Sequence, residues 1–203
     1  AANGKAGRLI VEEDLNRGLD VTAIVRGENK TKATQSLKRD ILDIKAEDLK
    51  IFDVVIDAFG TFEPDTLHLH SETLKVLCDA LSNTQTRLLI VGGAGSLYLD
   101  KNHTQQLYKS PDFPEIYRPL AAAQAKELDE LRKRNDVKWT FVSPAADFQP
   151  DAPKTGKYIL AGEEFTVNSK GESVIGYADY AAAMIDEATK GNHIQQRISL
   201  LKE

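Results

Sequence analysis

A chain of 203 residues with 41% hydrophobic and 28% charged side chains can bury roughly 70% of its unfolded surface, so no disulfide or metal staple is required. The net charge of −5 argues against a nucleic-acid partner, and no apolar run reaches the ~18 residues of a membrane span. The lone Cys78 rules out an internal disulfide and suits a reducing cytoplasm. No signal peptide, repeat or linker is visible in these residues, and a single domain over 1–203 is expected.

In chain order, Gly4-Lys5-Ala6-Gly7 runs into a helix over 5–17 that Gly18 stops. A β-branched strand over 19–25 ends at Arg26, and a short strand over 36–39 precedes Asp40. A short helix is expected over 46–52, a strand over 53–58, and a helix over 64–83 with Leu67, Leu74, Leu77, Cys78 and Leu81 on its core face. Then come a strand over 87–93, a helix over 119–134 and a strand over 137–142. Past Pro144 the pattern loosens: short strands over 157–160 and 164–167 flank a turn at 161–163. A helix over 177–190, with Asp179 in its first turn, and a strand over 194–200 close the chain.

Such alternation implies an α/β fold, a doubly wound parallel sheet with helices on both faces. Residues 1–143 form the core, and 144–203 form a small region walling one side of a pocket. Ligands of these sheets lie outside the carboxyl ends of the strands, here the loops after Val25, Asp57, Val91 and Val142. A central strand must feed the first helix, so a strand of about six to eight residues is expected ahead of Ala1. Residues 1–7 then fit G-x-x-G-x-x-G with Ala1 in place of the first glycine. Ala2, Asn3, Gly4, Lys5 and Ala6 become candidates for a dinucleotide pyrophosphate turn, although glycines beside a helix start also serve as plain caps.

Arg26 strengthens the dinucleotide reading. It follows the second strand, where a carboxylate would bind the 2′-hydroxyl of NAD and a guanidinium favours the 2′-phosphate of NADP. NADP(H) is therefore expected over NAD(H). Asp40 and Ile41 follow the next strand, with the carboxylate placed to accept from the adenine amino group. Ala58, Phe59 and Gly60 leave room for ribose and pyrophosphate.

With these residues the chain resembles the atypical short-chain dehydrogenase/reductases, in the NAD(P)H-binding or NADH-flavin reductase-like group related to biliverdin reductase B and the NmrA-like proteins. The resemblance spans nearly the whole chain. It rests on residues 2–7, Val25-Arg26, Asp40-Ile41, the Val91–Leu97 stretch VGGAGSL, the Trp139–Pro144 stretch WTFVSP and Thr155–Tyr158. It implies a Rossmann domain with a small C-terminal substrate-side region, and it implies Gly93, Ser143 and Pro144 as cofactor contacts. Typical members also carry Tyr-x-x-x-Lys on the helix before the Ser-Pro strand, with the tyrosine as general acid. Counting back from Pro144 puts the lysine at Lys126 and the tyrosine position at Ala122, which cannot donate a proton. Lys126 either holds the nicotinamide ribose or is an exposed helix lysine. Tyr117 is the nearest phenol, expected in the loop just ahead of the helix.

Without that acid, the chemistry points to hydride transfer onto a flavin or quinone, whose conjugated ring spreads the arriving charge itself. FMN or FAD is then a substrate, in a monomer or homodimer acting on a small molecule away from membranes. The same absence fits a non-catalytic NADP sensor of the NmrA-like type, and a carbonyl reductase using Tyr117 is the third reading. No HExxH, CxxC or paired carboxylate occurs, and His68 and His70 point apart on a helix, so no metal is expected. Ser96 lacks the GxSxG frame of a hydrolase and is a candidate hydrogen-bond donor beside the nicotinamide. The polar stretch over 99–115, with His103, Tyr108 and Phe113, has the length of a lid.

Overall fold

The computed structural model describes residues 1–203. The elements are α1 (Lys5–Asn16), β1 (Thr22–Val25), β2 (Gln35–Lys38), α2 (Ala46–Leu49), β3 (Val54–Asp57), α3 (Leu69–Ala80) and β4 (Arg87–Val91). They continue with α4 (Arg118–Leu131), β5 (Lys138–Ser143), β6 (Asp147–Gln149), β7 (Tyr158–Ala161), β8 (Val174–Gly176), α5 (Tyr177–Lys190) and β9 (Gln196–Lys202). Five strands form one sheet in the order β3-β4-β5-β9-β7, parallel except for β7 against β9. β1 and β2 pair with each other in parallel as a separate ladder. No ladder joins β1 to β3, and the Ala2 N–H reaches the Ile24 carbonyl at 3.4 Å. This is the α/β Rossmann-type architecture that the alternation predicts. No helix is long and apolar enough to cross a membrane.

The pleat sorts the buried strands between two layers. Leu88 and Ile90 of β4, with Trp139 and Phe141 of β5, pack against Leu74 and Leu77 of α3 and Leu128 and Leu131 of α4. Leu89 and Val142, one residue out of phase, face Ile10 of α1 and Tyr180, Met184 and Ile185 of α5. The Tyr180 hydroxyl, fully buried, donates to the Val142 carbonyl at 2.7 Å and ties α5 to the sheet. Arg17 clamps α1 to α5 through Asp186 at 2.8 Å and the Ala182 carbonyl at 3.0 Å.

Two expectations change, and two strands had not been expected. The helix expected over 64–83 is a 3-10 turn, Pro64–Thr66, followed by α3, and the left-handed Asn83 (φ 56°) lies beyond its end. Residues 164–167 do not form a strand against β7. Glu164 makes only an isolated bridge to Tyr98, because Glu163 is drawn to Arg132 and Arg197, while β7 pairs with the apolar edge of β9. β6 and β8, three residues each, pair with one another and are too short to register as a pattern.

Candidate cofactor-binding site

The start of α1 lies against β1, where the Ala2 N–H reaches the Ile24 carbonyl. Gly4 is its N-cap in extended conformation, with no side-chain cap and no acidic residue in the first turn. The first-turn N–H groups and the positive end of the helix dipole are therefore free for an anion. The turn packs tightly on the helix: a Cβ on Gly7 would lie 2.6 Å from the Ala1 carbonyl oxygen and 2.9 Å from that of Ala2. Asn3 serves as a clip. Its amide donates to the Glu28 carbonyl and accepts from the Lys30 N–H, both at 2.8 Å, which holds the loop after β1 against the glycine turn.

Arg26 is exposed at the end of β1 and forms neither an ion pair nor a hydrogen bond. Beside that loop lies a cleft of about 430 Å³ lined by Lys5, Arg8, Lys30 and Lys32, with Glu12 and Asp151 as its acids. Glu12 pairs with Lys32 at 2.5 Å. Lys30 and Lys32 escaped the sequence reading, although the run Lys30-Thr31-Lys32 stands four residues past Arg26 and could have signalled a basic loop. Asp40 caps the 3-10 turn Ile41–Asp43, one oxygen accepting from the Leu42 N–H at 3.0 Å, and Ile41 packs on the core.

Phe59 follows β3, and its N–H donates to Asp57 Oδ1 at 2.8 Å. Gly60 faces open space, whereas a Cβ on Gly93 would strike the Gln124 amide. Gln124 is thus the α4 side chain that reaches the β4 end. Lys126 is 70% exposed, its ammonium 3.7 Å from the Glu130 carboxylate. Tyr117 sits just ahead of α4 and is 55% exposed. Ser96 is buried, its Oγ accepting from Arg197 Nη1 at 2.8 Å. That bond engages it in the packing between β9 and the β4 loop. Ser143 and Pro144 are buried at the end of β5, and the Ser143 hydroxyl has no partner.

The stretch read as a lid is tied down. Tyr98 exchanges backbone bonds with Glu163 and Phe165, and Tyr108 N–H donates to the Gly95 carbonyl at 2.8 Å. Arg118 donates to the carbonyls of Tyr108 and Phe113. His103 stacks on Tyr98 and meets Glu164 at 2.9 Å. A buried cluster beneath the site also went unseen in the sequence: Asp57, His70 and Glu127, from three separate elements, are each less than 5% exposed. Burial raises the Asp57 carboxyl above its ordinary range.

Comparison with known proteins places this geometry in context. The sequence signature of a family described as NAD(P)H-binding matches residues 1–190. The uncharacterized protein YwnB of Bacillus subtilis (strain 168) is 42% identical over 205 residues, spanning 100% of this chain and 96% of that protein. Among solved structures, a "putative NADH-flavin reductase" of Streptococcus pneumoniae TIGR4 is 58% identical with a TM-score of 0.98, over 100% of this chain and 97% of that one. A "putative epimerase" of Bacteroides thetaiotaomicron is 35% identical with a TM-score of 0.87, over 100% and 94%.

Proposed function

This chain belongs to the NAD(P)H-binding family, and we propose that it is an oxidoreductase passing hydride from NADPH to a flavin or quinone. The observation that carries the reading is on α4. The resemblance puts the general acid at Ala122, which cannot donate a proton, and the α4 side chain that a Cβ on Gly93 would strike is the amide of Gln124, not an acid. A carbonyl acceptor would need a proton donor there, whereas a conjugated ring system takes up the charge itself. The similar Streptococcus pneumoniae protein is named a "putative NADH-flavin reductase", which supports this acceptor class.

Bound NADPH would supply the hydride, and the protein's part is to bind and orient. The uncapped start of α1, residues Ala2–Ala6, receives the pyrophosphate. Arg26 takes the 2′-phosphate, and Asp40 and Ile41 border the adenine. Ala58, Phe59 and Gly60 line the ribose side. Gly93, Ser143 and Pro144 leave the nicotinamide face free of bulky groups, so that an acceptor ring can approach within the roughly 3–3.5 Å that transfer requires.

The test is titration with NADPH and NADH followed by NADPH oxidation with FMN and with menadione. Turnover with either acceptor supports the reductase. Tight NADPH binding without turnover on flavins, quinones or carbonyls would overturn it in favour of a nucleotide-sensing regulator, which the same missing acid also fits.

A further inference from the structure

Between the cofactor crevice and the core on the α3–α4 side lies a polar cluster that the proposed chemistry leaves unused. His70, in the first turn of α3, is 2% exposed, and Glu127, in the middle of α4, is 3% exposed. His70 Nδ1 stands 3.6 Å from Glu127 Oε2. On its other side, Nε2 lies 3.2 Å from the Thr61 carbonyl oxygen. The Phe59 ring meets the imidazole edge-on, with centroids 5.6 Å apart. One imidazole therefore touches two residues of the segment that leaves β3 for the crevice. The segment's other restraints are the Phe59 N–H bond to Asp57 and a hydrogen bond between the Thr61 and Thr66 hydroxyls, while Gly60 faces open space and Phe62 is 73% exposed.

We infer that His70 is a positioning residue for the cofactor, its ring backed by Glu127 and holding Phe59–Thr61 in the shape that receives the dinucleotide. The inference rests on the cofactor lying across the ends of β3 and β4. It does not depend on which acceptor is reduced.

The imidazole does this fully only when both nitrogens carry protons. As a cation it donates Nε2–H to the Thr61 carbonyl and faces, at 3.6 Å, the Glu127 carboxyl, which burial raises to about 7. A neutral ring has one N–H, which the carboxylate claims, and the bare Nε2 then faces a carbonyl oxygen. The charged and polar groups around the ring are Glu127 and, beyond it, Glu130 on α4, Asp57 on β3, and the Thr61 carbonyl. Burial opposes the charged ring, but Glu127, Thr61 and Asp57 together raise His70 above its ordinary value. Cofactor affinity should thus be full in the neutral range and fall as pH rises through that raised value.

The experiment is fluorescence titration with NADPH, alongside thermal melts, for the unsubstituted protein, His70→Leu, His70→Gln and Leu74→Ala. Leu74 is a buried core residue one turn along the same helix, and its truncation controls for lost stability. His70→Leu is expected to weaken NADPH about tenfold or more, as losing a charge-assisted bond does. His70→Gln keeps a donor toward Thr61 and should stay within about threefold, while Leu74→Ala lowers the melting temperature and leaves affinity within about threefold. The ratio of affinities between the unsubstituted protein and His70→Gln should fall as pH rises through the raised His70 value, and in that ratio the titration of NADPH itself cancels. Unchanged affinity in His70→Leu, or Leu74→Ala weakening NADPH equally, would overturn the inference. If His70→Leu does not fold, a pH-independent ratio in His70→Gln overturns it alone. Loss of flavin turnover with these affinities intact would instead count against the proposed reductase.

Discussion

Arg26 reaches the surface unpaired at the end of a half-buried strand. A charge-assisted phosphate contact contributes about 1.5–3 kcal/mol, so NADPH should bind roughly ten- to a hundredfold more tightly than NADH. In Arg26→Ala most of that preference should vanish while NADH affinity holds, as calorimetry with both nucleotides would show; equal affinities in the unsubstituted protein would remove the 2′-phosphate role. Tyr117 and Lys126 are both expected to be dispensable for the rate. With the phenol 55% exposed ahead of α4, Tyr117→Phe should change FMN or menadione turnover less than about tenfold, below the 10²–10⁴ of lost acid catalysis. A collapse of turnover with NADPH binding intact would point to carbonyl chemistry. Lys126→Ala should alter neither affinity nor rate, since its ammonium faces Glu130 and solvent.

Among the elements, the join between the glycine turn and α1 is the most sensitive to a single methyl group. A Cβ on Gly7 would press on two backbone carbonyls that cannot rotate away. Gly7→Ala should cost about 1–3 kcal/mol of stability, as overpacking does, and should weaken NADPH by tilting the helix off the phosphate. Chemical denaturation and NADPH titration on the one variant measure both; an unchanged melting curve would mean that the turn is free to shift. The long elements were legible because each carries its own period. The run Leu88-Leu89-Ile90 is buried on both faces of the sheet, and Tyr177–Lys190 has the bounds that its pattern and flanking glycines indicate. β6 and β8 were not legible, because three residues hold no period and what orders them is their pairing with each other.

Across the whole molecule, a buried ion pair joins the start of β4 to the end of α5. Arg87 donates to the Glu187 carboxylate at 2.7 Å, to its carbonyl at 2.6 Å and to the Thr140 hydroxyl at 2.9 Å. His193 closes over the other side of the same carboxylate. Glu187→Ala strands the Arg87 charge and should cost about 3–5 kcal/mol, read as a lower denaturation midpoint. Burial opposes ionisation of Glu187, yet His193 and Arg87 hold its carboxyl below the usual range. A depressed carboxylate contributes stability above its unfolded pKa and loses it as pH falls through the folded value. The melting temperature should therefore hold down to about pH 4.3 and drop below it, and the drop should be shallower in Glu187→Gln. A curve that Glu187→Gln leaves unaltered would assign the acid loss to other groups.

The residue order was enough to establish the alternation of strand and helix, the glycine turn at a helix start, the cation after β1 and the absence of a phenol at position 122. These are local properties, set by side-chain period, by backbone freedom and by residue identity over a few positions. Side-chain direction and long-range company are not local. Whether Lys126 or Gln124 faces the crevice depends on how α4 rotates to bury Ala121, Ala125 and Leu128. Ser96 turns inward because Arg197, 101 residues later, needs an acceptor beneath the sheet. Asp57, His70 and Glu127 form one buried cluster only once the right-handed crossovers lay α3 and α4 side by side over β3, since nothing in their spacing along the chain marks them as neighbours.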